Sequence, residues 1–286
     1  MKHMYIPVML GWMTLISHFS TRAQEFKEHG SKEFTASGAH PVLVVYNING
    51  HVKVTGYAGN KVIIETDKTI RAKNEADLER GKSEFRFELE QSGDSIEAYI
   101  TDPEDSRPHD HWGNDWRRIK YHYNLDFTIK VPFGMNLSLS TVNDGNISVS
   151  DVTGLLDLSN VNGDISVSGA KGTTDAHTVN GDITVTYVAV PSDASSFNTV
   201  NGNLKATYPS SLSADLEFKS LNGNFYTDFE NVETLPFKVV KSDDRDRDSD
   251  GTTYKLDKNS SFRFGKGGKI FRFETLNGNV YIKKQS

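Results

Sequence analysis

Short runs in which apolar and polar residues alternate make up most of this chain. Examples are Phe85-Arg86-Phe87-Glu88-Leu89, Ile96-Glu97-Ala98-Tyr99-Ile100, Leu156-Asp157-Leu158-Ser159 and Ile270-Phe271-Arg272-Phe273. A period of two puts successive side chains on opposite faces, so each run predicts a β-strand with one buried side. Only residues 73–81 carry a helical pattern, and that stretch is short. The pattern predicts an all-β protein with one short helical turn.

Between the runs one phrase returns: an apolar residue, Asn-Gly, a polar residue, then alternation again. It occurs at Asn49-Gly50, Asn162-Gly163, Asn180-Gly181, Asn201-Gly202, Asn222-Gly223 and Asn277-Gly278, and with one inserted residue at Asn143-Asp144-Gly145. From Gly145 the glycines advance by 18, 18, 21 and 21 residues. Near-constant spacing of this length predicts repeat units that stack, a β-solenoid with rungs of 18–21 residues. Glycine adopts positive φ without steric cost and asparagine tolerates it, so the pairs are expected to be structural turns. A meander of hairpins would carry the same signals. The solenoid is favoured because each interval also holds a second breaker, such as Val152-Thr153-Gly154 or Pro209-Ser210-Ser211.

Parity adds detail. Leu156, Leu158, Asn160 and Asn162 share one parity, as do Leu137, Leu139, Thr141 and Asn143, and Phe271, Phe273, Thr275 and Asn277. Stacked rungs would bring like residues about 4.8 Å apart, close enough for asparagine ladders. The rhythm divides the chain into irregular strands over 24–135, regular rungs over 136–230, and a long excursion with a final rung over 231–286. Residues 24–286 are expected to form a single solenoid domain.

Composition narrows the setting. Residues 1–23 resemble a secretory signal: a polar start, a mostly apolar stretch from Tyr5 to Phe19, then Thr21-Arg22-Ala23. No other stretch is long and apolar enough for a membrane span of roughly 20 residues. The expected location is therefore the periplasm, the outer-membrane surface or the cell exterior. The absence of cysteine removes disulfides and thiol catalysis. The 32 basic and 38 acidic residues give a net charge of -6, with no basic excess to attract nucleic acid.

Two stretches could carry chemistry. Asp246, Asp248, Asp250 and Gly251 match the core of a calcium loop, and Asp257 falls where a closing carboxylate belongs; the alternative is a solvated hairpin tip. Residues 102–118 hold Trp112 and Trp116, which suit stacking on a sugar ring, beside His109, Asp110, His111 and Asp115, a weak metal pattern. Asp164 and Asp182 occupy repeat positions held elsewhere by Asn203, Asn224 and Asn279, which points to a turn role rather than acid–base work. No G-x-S-x-G or H-E-x-x-H motif is present.

The Asn-Gly copies, together with Gly265-Lys266-Gly267-Gly268-Lys269-Ile270 leading into the last of them, resemble the bacterial β-strand-repeat family of candidate adhesins. The resemblance covers roughly 34–286. It implies a right-handed β-helix-like fold in the cell envelope and supplies no catalytic residues. The expectation is an exported, non-catalytic structural or binding protein, acting on an unidentified envelope protein or surface glycan and without a cofactor other than calcium at the Asp loop. The alternatives are a carbohydrate-active enzyme on a β-helix scaffold and a periplasmic envelope-stress or assembly factor.

Overall fold

The computed structural model describes residues 24–108, 119–236, 239–242, 253–256 and 260–285. Two long sheets, of ten and eleven strands, share one buried core. Each Asn-Gly bend carries the chain from the larger sheet to the smaller. Leu156–Ser159 lies in the larger sheet, for example, and Ile165–Ala170 follows in the smaller. Successive rungs then pair in parallel: Leu156 opposite Leu137 and Thr174, Ile165 opposite Ile147 and Ile183. Parallel pairing is what a solenoid requires and what a hairpin meander cannot give.

The core follows from the alternation. Leu43 and Val45, Leu137 and Leu139, and Leu156 and Leu158 point inward from the larger sheet, against Val52 and Val54, Ile147 and Val149, and Ile165 and Val167 from the smaller. Farther along, the larger sheet presents the small residues Thr174, Ala176 and Ser195, and the phenol rings of Tyr187 and Tyr208 are buried and stacked at 5.0 Å. Small residues in one sheet are matched by large ones in the other, which keeps the packing dense. Burial pushes the Tyr187 phenol up to about 12.

Parity holds along each strand and breaks at the bend. Asn160 is fully buried beside Leu158, whereas Asn162 is exposed. Thr275 and Asn277 divide in the same way. The chain turns between the two positions, so the buried polar residue and the repeat asparagine do different work.

Two parts of the stack are out of sequence order. At one end, Ser95–Asp102 and Tyr121–Pro132 form an outer rung beside Val42–Tyr46 and Val52–Tyr57. This rung has no Asn-Gly; the 103–120 connection replaces the bend. Antiparallel strands finish that end, Arg86–Ser92 in the larger sheet and Lys61–Ala72 then Gln24–Thr35 in the smaller. The helix is Glu75–Glu84, shifted from the expected 73–81 because Asn74 caps it by accepting from the Asp77 N–H at 2.9 Å.

At the other end the final rung, Ile270–Asn277 and Val280–Lys284, does not stack last. It lies between the 195–208 rung and the 214–227 rung. A long excursion precedes it in the chain. Its strands Ser260–Phe264 and Glu233–Leu235 close the larger sheet in antiparallel fashion. Between them in sequence, Val239–Ser242 and Thr253–Leu256 form a separate antiparallel pair.

Candidate binding surface

Three ladders of hydrogen bonds run along the Asn-Gly edge, and they assign a task to every residue of the repeat. In the first, five of the seven repeat asparagines donate their side-chain amide to the asparagine of the adjacent rung. The chain of bonds runs Asn222, Asn277, Asn201, Asn180, Asn162, Asn143, at 2.7–2.9 Å. In the second, the residue after glycine accepts the backbone N–H of its counterpart one rung on. Asp164 Oδ1 accepts from Asp182 and Asp182 Oδ1 from Asn203, and on the rung without Asn-Gly Asp126 Oδ1 plays the same part for His51. Only an acceptor is needed, which is why Asp and Asn interchange. His51 fills one step by accepting from the Asn146 N–H at Nδ1, at 2.9 Å, so its ring proton belongs on Nε2.

The third ladder is buried. Thr141, Asn160, Thr178, Thr199 and Thr275 each donate a side-chain hydrogen bond of 2.9–3.0 Å to the carbonyl of a neighbouring repeat glycine. These bonds satisfy carbonyl groups that the bend turns away from the sheets. The glycines themselves are required by contact. A Cβ on Gly163 would lie 2.1 Å from the Gly145 oxygen, and on Gly181 2.2 Å from that of Gly163. Of the seven repeat glycines only Gly50 has positive φ, 124°. The expected reason, backbone freedom, therefore applies to one copy, and close stacking of carbonyl on Cα accounts for the rest.

With the edge committed to structure, the outward face of the smaller sheet remains as a regular surface. The third and fifth residues after each repeat glycine stand in two straight rows. Rung by rung they are Lys53 and Thr55, Ser148 and Ser150, Ser166 and Ser168, Thr184 and Thr186, Lys205 and Thr207, then Tyr281 and Lys283. Thr128 and Lys130 extend the rows at one side, and Tyr226 stacks on Tyr281 at 5.1 Å at the other. A shallow depression of about 290 Å³ follows the hydroxyls between Lys53 and Thr186. From Lys53 to Lys205 the two rows hold no carboxylate, and Asp126, Asp164 and Asp182 belong to the edge ladder alongside; past that span Glu65 registers with Thr128 at one side, and Asp228, the fifth residue after Gly223, pairs with Lys283 at 4.0 Å at the other. Among the described residues Lys53, Lys130 and Lys205 form no ion pair.

The outward face of the larger sheet differs. There Lys219 pairs with Glu274, Arg272 with Glu217 at 3.2 Å and Arg263 with Asp215 at 2.9 Å. Asp157 and Asp175 lie side by side in register. Burial, and then the Asp157 charge, raise the Asp175 carboxyl pKa.

A second cavity, of about 570 Å³, opens beside the helix start and is lined by Arg71, Lys73, Asn74, Lys120 and His122 among others. It adjoins the base of the Trp112 loop. Ser106 anchors that base by donating to the Tyr46 carbonyl at 2.7 Å, and Arg107 pairs with Asp105 and lies 4.0 Å over the Tyr99 ring. Trp112 and Trp116, with His109, Asp110, His111 and Asp115, lie outside the described residues. So do Asp246, Asp248, Asp250 and Asp257, with the strand Thr253–Leu256 between the last two. The signal expected in residues 1–23 lies outside them as well. Among the described residues no group of three or more His, Asp or Glu side chains is placed to hold a metal ion. The two outward rows escaped the sequence reading, although their signal was present in the fixed offset from each glycine.

Residues 124–260, just under half of the chain, match the model of the Toastrack DUF4097 family. Among solved structures, a candidate cell adhesion protein from Clostridium sporogenes is similar at 10% identity and a TM-score of 0.47, over 91% of this chain and 100% of that one. A candidate adhesin from Bacteroides fragilis is similar at 9% identity and a TM-score of 0.36, over 90% and 97%. A candidate lipid binding protein from Parabacteroides distasonis gives 10% identity and a TM-score of 0.27, over 90% and 97%. None of the curated proteins matches the sequence. Among the described residues no helix is long and apolar enough to cross a membrane.

Proposed function

We propose that this is an exported, non-catalytic binding protein of the cell envelope whose solenoid is a rigid platform for contact with an envelope component. One observation carries the reading: the repeat fixes two straight rows of outward polar side chains across a continuous parallel sheet, while the carboxylates beside them hold the backbone together. Asp164 and Asp182 each accept a backbone N–H at 2.7–2.8 Å. A carboxylate held that way supports the fold. The platform is stiff because each rung is hydrogen-bonded on both sides. No cofactor enters the proposal.

The test is sedimentation of the chain lacking residues 1–23 with washed envelope fragments. Saturable co-sedimentation is the expected result, and its absence overturns the proposal. Release of reducing ends from polysaccharides, abolished by Asp164→Asn or Asp182→Asn, would instead establish a glycan-cleaving enzyme.

A further inference from the structure

We infer that the two outward rows of the smaller sheet are a docking surface for an extended acidic polysaccharide, a polymer of uronic acid units. The inference rests on the binding role proposed above and gives it a place and a ligand class. Charge complementarity is the first support. The chain carries a net charge of -6, yet four lysines gather on these rows. Lys53 and Lys130 are diagonal neighbours at one side and Lys205 and Lys283 at the other, since Lys53 registers with Thr128 and Lys205 with Tyr281; Lys283 pairs with Asp228 at 4.0 Å, which leaves Lys53, Lys130 and Lys205 to carry the charge argument. Lys53, Lys130 and Lys205 are exposed and stay beyond ion-pair distance of every described carboxylate, although Asp126 is in the next row. On the opposite sheet Lys219, Arg263 and Arg272 are all paired with acids. Unpaired cations on a flat face are available to a ligand's carboxylates.

The deck between the two lysine pairs supplies the second support. From Lys53 to Lys205 is four rung steps, about 19 Å at 4.8 Å each, and every side chain of both rows in between is a serine or threonine. A hydroxyl both donates and accepts, which suits a polyhydroxylated chain lying across the strands. The stacked Tyr226 and Tyr281 rings, Tyr226 being exposed, offer an aromatic platform beyond Lys205 on which a pyranose ring can rest. Duplex nucleic acid fits less well. Its charge is dense, whereas the lysine pairs here are widely separated and Asp126, Asp164 and Asp182 line the adjoining edge.

The experiment uses the chain lacking residues 1–23 and three probes: polygalacturonate, neutral amylose and duplex DNA. Binding to polygalacturonate that weakens with added salt is expected. The double variant Lys53→Glu with Lys205→Glu should bind about tenfold more weakly or worse. Lys171→Glu with Lys266→Glu changes the net charge equally, at exposed positions away from the rows, and should bind as the unsubstituted chain does. The inference is overturned by any of four results: no binding to polygalacturonate, equal loss in both double variants, amylose bound as tightly, or DNA bound more tightly. The two double variants in the envelope sedimentation assay separate this inference from the binding role. If the unsubstituted chain sediments and the Lys53/Lys205 variant sediments equally, the surface is wrong and the role stands. If the unsubstituted chain does not sediment, the role itself fails.

Discussion

Glycine and asparagine alternate as the fixed residues of the repeat for unrelated reasons, and substitution separates them. Gly163 is fixed by the carbonyl of Gly145, which would lie 2.1 Å from a new Cβ. Gly163→Ala is therefore expected to cost about 3 kcal/mol, the upper range for forced overpacking. Gly134 has no atom within 4 Å of its would-be Cβ and no positive φ, so Gly134→Ala is expected to be neutral or to stabilise by about 0.5 kcal/mol. Urea titration of both variants checks the pair; equal costs would mean that contact is not what selects glycine on the edge. At the next residue the requirement is an acceptor. Asp182→Asn should leave stability within about 0.5 kcal/mol, while Asp182→Leu should lose about 1 kcal/mol for the unpaired Asn203 N–H. A large loss in the Asn variant would show that the charge, and not the lone pair, is what Asp182 supplies.

Strands and their partners were legible wherever one residue pattern served one purpose. The alternation located the rungs, the even spacing predicted parallel stacking, and both hold in the pairing of Leu156 and Ile165 with their counterparts. The helix boundary was missed because the cap at Asn74, not the periodicity, sets it. The outward rows were missed because serine and threonine on a strand carry no distinctive motif; only alignment of the rungs on their glycines reveals them. Pairing between elements also brings like charges together, and Asp157 and Asp175 are the clearest case. A carboxyl whose pKa is raised on folding binds its proton more readily in the native state. Its contribution favours folding at low pH and is lost as pH rises above the ordinary value of 3.8. Ionised Asp175 thus opposes folding at neutral pH. Asp175→Asn is expected to raise Tm at pH 7 and to bring no gain below pH 3.8. Thermal melts across that range check it, and a gain of the same size at both ends would remove the charge explanation.

The order of the rungs along the stack has a consequence for how the whole molecule holds together. Were the final rung stacked last, it would be an edge, free on one side and prone to fray. Instead Thr275 registers with Thr199 on one side and with Ser220 on the other, at sequence separations of 76 and 55 residues. Phe273 is buried between Phe197 at 4.9 Å and Phe218 at 5.4 Å. The stack is therefore complete only when Ile270–Asn277 and Val280–Lys284 have entered it, and contacts of such long separation form slowly. Phe273→Ala should cost about 3–5 kcal/mol, the range for a fully buried aromatic ring. It should also lower the midpoint of one unfolding transition rather than create a second. Tyr226→Ala, on the true edge rung and exposed, should cost less than about 1 kcal/mol. Urea unfolding followed by both circular dichroism and tyrosine fluorescence decides the matter. Separate melting of a C-terminal unit in the Phe273 variant would mean that the inserted rung is an accessory to the stack and not the piece that locks it.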